Sequence, residues 1–166
     1  MSINPESLVA ELKSTKQFFD TSTRCLTEDD SAFVPVEGMW TVAQQVAHAA
    51  QTVDWFFQGA FRPEGFDTDW EKLGKEVAQV RSLGAARAWL DAAFARAVEA
   101  IASRSAEEVN AVLPPNPILG EVPRAHIVSA IVDHTAHHRG ALTVYSRLLG
   151  RVPAMPYMEE PAEVTA

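Results

Sequence analysis

The chain has 166 residues, of which 47% are hydrophobic and 8% aromatic, and its formal net charge at pH 7 is −8. This length predicts one domain spanning residues 1–166 with a buried core. The acidic balance argues against a nucleic-acid partner, which would require clustered lysine and arginine. No apolar run approaches the roughly 18 residues of a membrane span, so no membrane association is expected.

Two features predict a cytoplasmic location. The first residues, MSINPE, lack the basic and apolar regions of a signal peptide. Cys25 is the single cysteine, so the chain cannot form an internal disulfide, which suits a reducing compartment.

Helical signals begin close to the N-terminus. Asn4 suits an N-cap and Pro5 suits the first helical position, which predicts a helix from residue 5 to about residue 25. Residues 27–40 contain a proline, a glycine and several acids, and they predict a long connection.

The second helix carries an isolated histidine. Thr41 and Gln44 form a capping-box pattern that predicts a helix from there to about residue 61. One broad apolar face should meet the core, and it consists of Val42, Val46, Ala49, Val53, Phe56, Phe57 and Ala60. His48 lies on the other side, among the polar or amphipathic residues Thr41, Gln44, Gln45, Gln51, Thr52 and Trp55.

The rest of the chain predicts two further long helices. A short helix is expected between residues 69 and 80, and a long one from Ser82 to about residue 103. Residues 105–122 contain three prolines and predict a connection with at most one helical turn. The last long helix should run from near Pro123 to Gly150, followed by an extended tail from about residue 151.

Four long amphipathic helices predict an all-α fold, a four-helix bundle with long connections. The lengths of the first and third connections leave open the order of the helices around the bundle.

Three of the five histidines lie close together on the last helix, at His134, His137 and His138. Residues four apart project from one face of a helix, so His134 and His138 point at the same volume. Both lie in the most apolar stripe of that helix, where an imidazole without a partner is costly. Hydrogen-bonded core histidines are the simpler alternative, but this spacing, together with His48, favours a shared metal ion.

Three neutral imidazoles suit zinc, nickel, iron or copper, with zinc or nickel expected, and do not suit calcium or magnesium. Three protein ligands leave open coordination positions, which is typical of a catalytic site. A water or thiol bound there would become a nucleophile near neutral pH.

The other candidates flank this site. His137 groups with Asp133 and predicts a hydrogen-bonded rim residue, with direct ligation as the alternative. His137 and Tyr145 are the nearest candidates for a general base, and His126 is expected to be structural or solvated. The residues expected to line the approach, unless they form a solvated or subunit-contacting face, are Gln44, Gln45, Thr52, Trp55 and Tyr145.

Two stretches carry a family resemblance. Residues 39–48, MWTVAQQVAH, resemble the Trp-Ser/Thr entry to helix two of the DinB-like family, which includes YfiT-like members. Residues 133–140, DHTAHHRG, resemble the Asn-His-x-x-His-His-Arg-Gly stretch on the last long helix of that family. Asp133 stands where the family commonly has asparagine, which affects a hydrogen bond beside a ligand position rather than a ligand itself.

The resemblance implies a four-helix bundle, usually a homodimer, with His48, His134 and His138 as metal ligands. Relatives include thiol-dependent S-transferases and isomerases that use low-molecular-weight thiols, proteins described as metal-dependent hydrolases, and many without an assigned activity. The leading hypothesis is therefore a metal-dependent enzyme that activates a thiol or water for attack on a small electrophile, with a low-molecular-weight thiol as co-substrate. A metal-dependent hydrolase and a non-catalytic protein that binds a metal or small molecule are the alternatives.

Overall fold

A computed structural model of the chain describes residues 3–158 and contains six α-helices and no β-strand over that range. The helices are α1 (Pro5–Thr23), α2 (Val42–Phe61), α3 (Trp70–Ala78), α4 (Leu83–Ala102), α5 (Ala106–Asn110) and α6 (His126–Leu148). The predicted all-α class is confirmed. The part of the predicted tail after residue 158 lies outside the described residues.

The helix starts follow the capping chemistry of the sequence. The Asn4 side chain accepts a hydrogen bond from the backbone N–H of Glu6 at the start of α1. At the start of α2, Thr41 and Gln44 form both bonds of the predicted capping box. Helix α6 begins at His126 rather than at Pro123, because Pro123 pairs with Val112 in an isolated β-bridge.

The first and the third connections each join two long helices that lie diagonally across the bundle. Helix α2 packs against α4 and α6, and α1 packs against the same two helices. The circular order is therefore α1, α4, α2 and α6. This order makes α2 and α6, which carry the candidate metal ligands, direct neighbours.

Hydrogen bonds between helix ends give the helix directions. Arg124, just before α6, donates to the carbonyl of Ala60 at the end of α2 at 3.0 Å, so α2 and α6 are antiparallel. Arg87, near the start of α4, donates to the carbonyl of Thr23 at the end of α1 at 2.7 Å, so that pair is antiparallel too.

Ser31, in the first connection, joins the starts of α2 and α4. Its carbonyl accepts from the backbone N–H of Ala43 at 3.1 Å, and its hydroxyl accepts from that of Leu83 at 2.9 Å. Helices α2 and α4 therefore run parallel to each other. The first connection is thus packed onto the bundle by its own hydrogen bonds.

A polar crosslink also holds α2 against α4. Asp54 accepts a hydrogen bond from Trp89 Nε1 at 2.9 Å and forms a two-point ion pair with the Arg96 guanidinium at 2.8 and 3.0 Å.

Within residues 3–158, no helix combines the length and the apolar character needed to cross a membrane.

Candidate metal centre

Three histidines from two neighbouring helices converge inside the bundle. His48 comes from α2, and His134 and His138 come from adjacent turns of α6. Each offers one ring nitrogen, and these three atoms all lie within 4.8 Å of one another. The Nε2 atoms of His134 and His138 are 3.2 Å apart. The antiparallel packing of α2 on α6 therefore brings together a set of imidazoles that could hold one metal ion.

The donor set fits a tetrahedral transition metal. Zinc–imidazole bonds of about 2.0–2.1 Å place two nitrogen ligands roughly 3.3 Å apart at a tetrahedral ion. The 3.2 Å between the Nε2 atoms of His134 and His138 is close to that spacing. The Nδ1 atom of His134 is buried and has no hydrogen-bond partner among residues 3–158.

A chain of hydrogen bonds holds the His138 ring from behind. Gln45 Nε2 donates to the Tyr145 hydroxyl at 3.3 Å, and that hydroxyl donates to the carbonyl of Trp40 at 3.0 Å. The side-chain oxygen of Gln45 lies 2.6 Å from His138 Nδ1. An amide oxygen can only accept, so His138 Nδ1 carries the hydrogen and donates it. This tautomer leaves the lone pair of His138 Nε2 directed at the other two histidines. Bonds of this kind orient a metal-binding imidazole.

Gln51 plays a comparable part beside His48. Burial is the largest effect on the pKa of His48 and lowers it, while a side-chain hydrogen bond with Gln51 acts in the opposite direction. Gln51 Nε2 donates to the Leu73 carbonyl at 3.0 Å and to the Glu76 carboxylate at 2.6 Å, which leaves its oxygen to accept. Helix α2 thus places one glutamine three residues before His48 and another three residues after it.

The three imidazoles are neutral at neutral pH. Burial, followed by the charges of neighbouring histidines, lowers the pKa of His134 to about 4 and that of His138 to about 3. Burial also lowers the pKa of His48. Neutral imidazole is the form that binds metals, so proton competition at this site is weak.

We expect the metal-free protein to lose stability as the pH falls from 6.5, the ordinary histidine pKa, to about 4. In that window the unfolded chain binds protons at His134 and His138 that the folded chain does not, so the free energy of unfolding decreases with decreasing pH. Thermal melts of chelator-treated protein between about pH 7.5 and pH 4 measure this dependence. The His138→Gln variant should show a shallower slope; a slope equal to that of the wild type would contradict the assignment.

A cavity of about 340 Å³ opens beside the histidines. His48 and His134 contribute to its lining, and helix α3 supplies another part of the wall. The full set of lining residues is Trp40, His48, Gln51, Thr52, Trp55, Phe56, Trp70, Leu73, Gly74, Val77 and His134. A ligand at the three histidines would therefore extend into a largely apolar space.

The residues predicted to line the approach divide into two groups. Thr52 and Trp55 line the cavity. Gln44 does not, because its side chain closes the capping box and reaches the carbonyl of Ala78. Gln45 and Tyr145 also lie outside the cavity lining, because the Gln45 side-chain amide bonds to both His138 and the Tyr145 hydroxyl.

The two candidates for a general base lie in different surroundings. Tyr145 is only 2% exposed, and its hydroxyl is occupied by Gln45 and the Trp40 carbonyl. His137 is exposed, and its ring contacts that of His138 edge-on at a centroid distance of 4.9 Å. His126, at the start of α6, is exposed.

Sequence reasoning missed the cavity wall that α3 and the first connection supply. Trp40 lies over two of the histidines, with its ring centroid 4.3 Å from that of His48 and 6.0 Å from that of His138. Trp70, Leu73 and Val77 share one face of α3, which was visible as helical spacing. That spacing predicts an apolar face, but it does not indicate which part of the bundle the face covers.

Comparison with known proteins identifies related sequences and folds. The family model of the DinB superfamily matches residues 11–142. No curated protein gave a match. The crystal structure of a mycothiol-dependent maleylpyruvate isomerase is 15% identical with a TM-score of 0.69, and the match covers 84% of this chain and 61% of the isomerase.

Two further solved structures match most of their own length. A DinB-like protein from Bacillus cereus is 19% identical with a TM-score of 0.62, and the match covers 93% of this chain and 94% of that protein. The colibactin self-resistance protein ClbS, solved in complex with double-stranded DNA, is 16% identical with a TM-score of 0.64, and the match covers 84% and 93%. At these identities the likeness shows a common fold. The chain spans less than two thirds of the isomerase.

Proposed function

The chain belongs to the DinB superfamily, and on that basis we propose that it is a metal-dependent enzyme that couples a low-molecular-weight thiol to a small electrophile. In this proposal His48, His134 and His138 hold a divalent transition metal, with zinc or nickel expected. The convergence of their three ring nitrogens within 4.8 Å is the observation that carries the proposal. The thiol-dependent isomerase among the structural neighbours supports a thiol rather than water as the nucleophile.

Each part of the proposed site has a distinct task. When bound, the metal would lower the pKa of a thiol or water and so supply a nucleophile near neutral pH. The three histidines hold it while leaving coordination positions open, because no fourth His, Cys, Asp or Glu joins their cluster within residues 3–158. Gln45 and Gln51 orient the His138 and His48 rings. The cavity beside them takes the electrophile and limits access of water.

We propose His137 as the group that exchanges a proton with solvent at this site. It is exposed and lies beside His138, so it can pass a proton outward without leaving a buried charge. Tyr145 is better suited to positioning than to proton transfer, because its hydroxyl already donates to a backbone carbonyl.

Two further expectations belong to the proposal. The homodimer rests on the family resemblance alone. The absence of a nucleic-acid partner rests on the net charge of −8, although the structural neighbour ClbS was solved with DNA.

A thiol-consumption assay tests the proposed function. Zinc- or nickel-loaded protein is mixed with 1-chloro-2,4-dinitrobenzene and, in turn, cysteine, glutathione and mycothiol, and thioether formation is followed by absorbance. We expect a rate above that of the uncatalysed reaction with at least one thiol, and none above it for chelator-treated protein. Hydrolysis that proceeds without any thiol would show a metal-dependent hydrolase instead. Stoichiometric metal without turnover of any kind would show a binding protein.

A further inference from the structure

The cavity beside the histidines has walls made of aromatic rings. Three of the four tryptophans in the chain line it: Trp40 from the first connection, Trp55 from α2 and Trp70 from α3. The Trp55 and Trp70 rings are 5.8 Å apart at their centroids, and Phe56 contacts Trp55 at 5.1 Å. Such rings bind flat, apolar groups through stacked or edge-on contacts.

Charged side chains are missing from this lining. None of the lining residues in the described part of the chain is Asp, Glu, Lys or Arg. One acid, Glu76, is bonded to a lining residue: its carboxylate accepts a hydrogen bond from Gln51 Nε2 at 2.6 Å. Apart from a metal held by the histidines, the lining offers no cation, so a carboxylate placed between the tryptophans would lose its hydration without compensation, which is unfavourable.

The polar contacts left to a ligand are few and lie together. Thr52 is the one hydroxyl residue of the described lining, and it comes from the same helix as His48. The cavity volume of about 340 Å³ lies at the small end of the range for ligand sites. A compact molecule would therefore have its reacting end at the histidines and its apolar body between the tryptophans.

From this lining we infer that the part of the electrophile held between the tryptophans, away from the histidines, is a flat, uncharged aromatic or similarly apolar group rather than a carboxylate. The inference rests on the proposed function for the reaction, but on the cavity alone for binding. For an aryl halide, the thiol proton leaves to solvent, sulfur bonds to the ring carbon, and the halide departs with the bonding pair. The reaction needs no oxidant or reductant.

At Gly74 the charge of the cavity can be changed by mutation without altering the histidines. It lines the cavity from α3, and a Cβ atom at this position would meet nothing within 4 Å. Residues other than glycine are favoured in a helix interior, so replacing Gly74 should not destabilise α3. Gly74→Arg introduces a cation at the cavity, and Gly74→Met introduces a neutral side chain of similar length as the matched control.

Equilibrium binding of two unreactive molecules of the same shape tests the inference. The neutral 1,3-dinitrobenzene and the anionic 3-nitrobenzoate are titrated into chelator-treated protein, in which no metal can bind the carboxylate, and binding is followed by tryptophan fluorescence and calorimetry. We expect the wild type to bind the neutral compound at least about tenfold more tightly. Gly74→Arg should reduce that preference about tenfold or more, and Gly74→Met should leave it unchanged.

The outcomes separate this inference from the proposed function. Equal or tighter binding of 3-nitrobenzoate by the wild type would overturn the inference, even if thiol turnover occurs. An equal change of preference in Gly74→Arg and Gly74→Met would also overturn it, because charge would then not be the cause. A preference for the neutral compound supports it, even in a protein that turns over no thiol.

Discussion

Replacing His48 with alanine is expected to abolish stoichiometric metal binding while leaving the helical content almost unchanged. His48 is the only one of the three converging histidines that α2 supplies, so the variant retains just two ligands on α6. Mutations that merely disturb the support of a ligand weaken metal binding about 10–100-fold, so loss of a ligand should cost at least about 100-fold. The fold should persist, because the apolar face of α2 is separate from His48 and alanine favours helix.

Elemental analysis of protein purified without a histidine tag, after exposure to zinc or nickel and removal of excess metal, measures this effect. Circular dichroism of the same samples reports the helical content. His126→Ala is the matched control, because it removes one exposed histidine from α6 and leaves the three converging histidines intact. One equivalent of metal remaining in His48→Ala would contradict the site, as would loss of metal from both variants to the same degree.

Replacing Gln45 with leucine is expected to weaken metal binding about 10–100-fold without removing a ligand. Gln45 is 8% exposed, and its side-chain oxygen accepts the only hydrogen bond that His138 Nδ1 makes within residues 3–158. Leucine has a similar volume but no acceptor, so the His138 ring would lose its fixed orientation and its buried N–H would lose its partner. Competition with a chelator of known affinity measures the change in Kd.

Three comparison variants make the Gln45 experiment specific. Gln45→Glu keeps an acceptor for His138 Nδ1–H, so it should retain more affinity than Gln45→Leu. Tyr145→Phe removes the hydroxyl that Gln45 donates to, so its effect should be smaller and in the same direction. Gln44→Leu is the matched control, because the Gln44 side chain bonds to the backbone N–H of Thr41 in the capping box and to none of the histidines. Equal affinity in Gln45→Leu and Gln44→Leu would refute the orienting role.

The local features of this protein were predictable from the sequence because they depend on neighbours along the chain. The Thr41–Gln44 capping box and the N-cap at Asn4 involve residues at most three positions apart, and both are present. The convergence of His134 and His138 follows from the helical repeat, which sets residues four apart on one face. The helical repeat also places His137 on a different face of α6 from this pair, and the His137 side chain is exposed.

The tertiary structure decided what periodicity leaves open, which is the identity of the neighbour that each face meets. The first connection could have placed α2 beside or diagonal to any helix, and only packing sets it against α6, where His48 joins the pair. The same packing directs Gln45 to His138 rather than to the cavity, and it makes α3 part of the cavity wall. A helical repeat defines the direction of a side chain about its own axis, whereas a metal site requires the relative positions of two axes, which long-range burial determines.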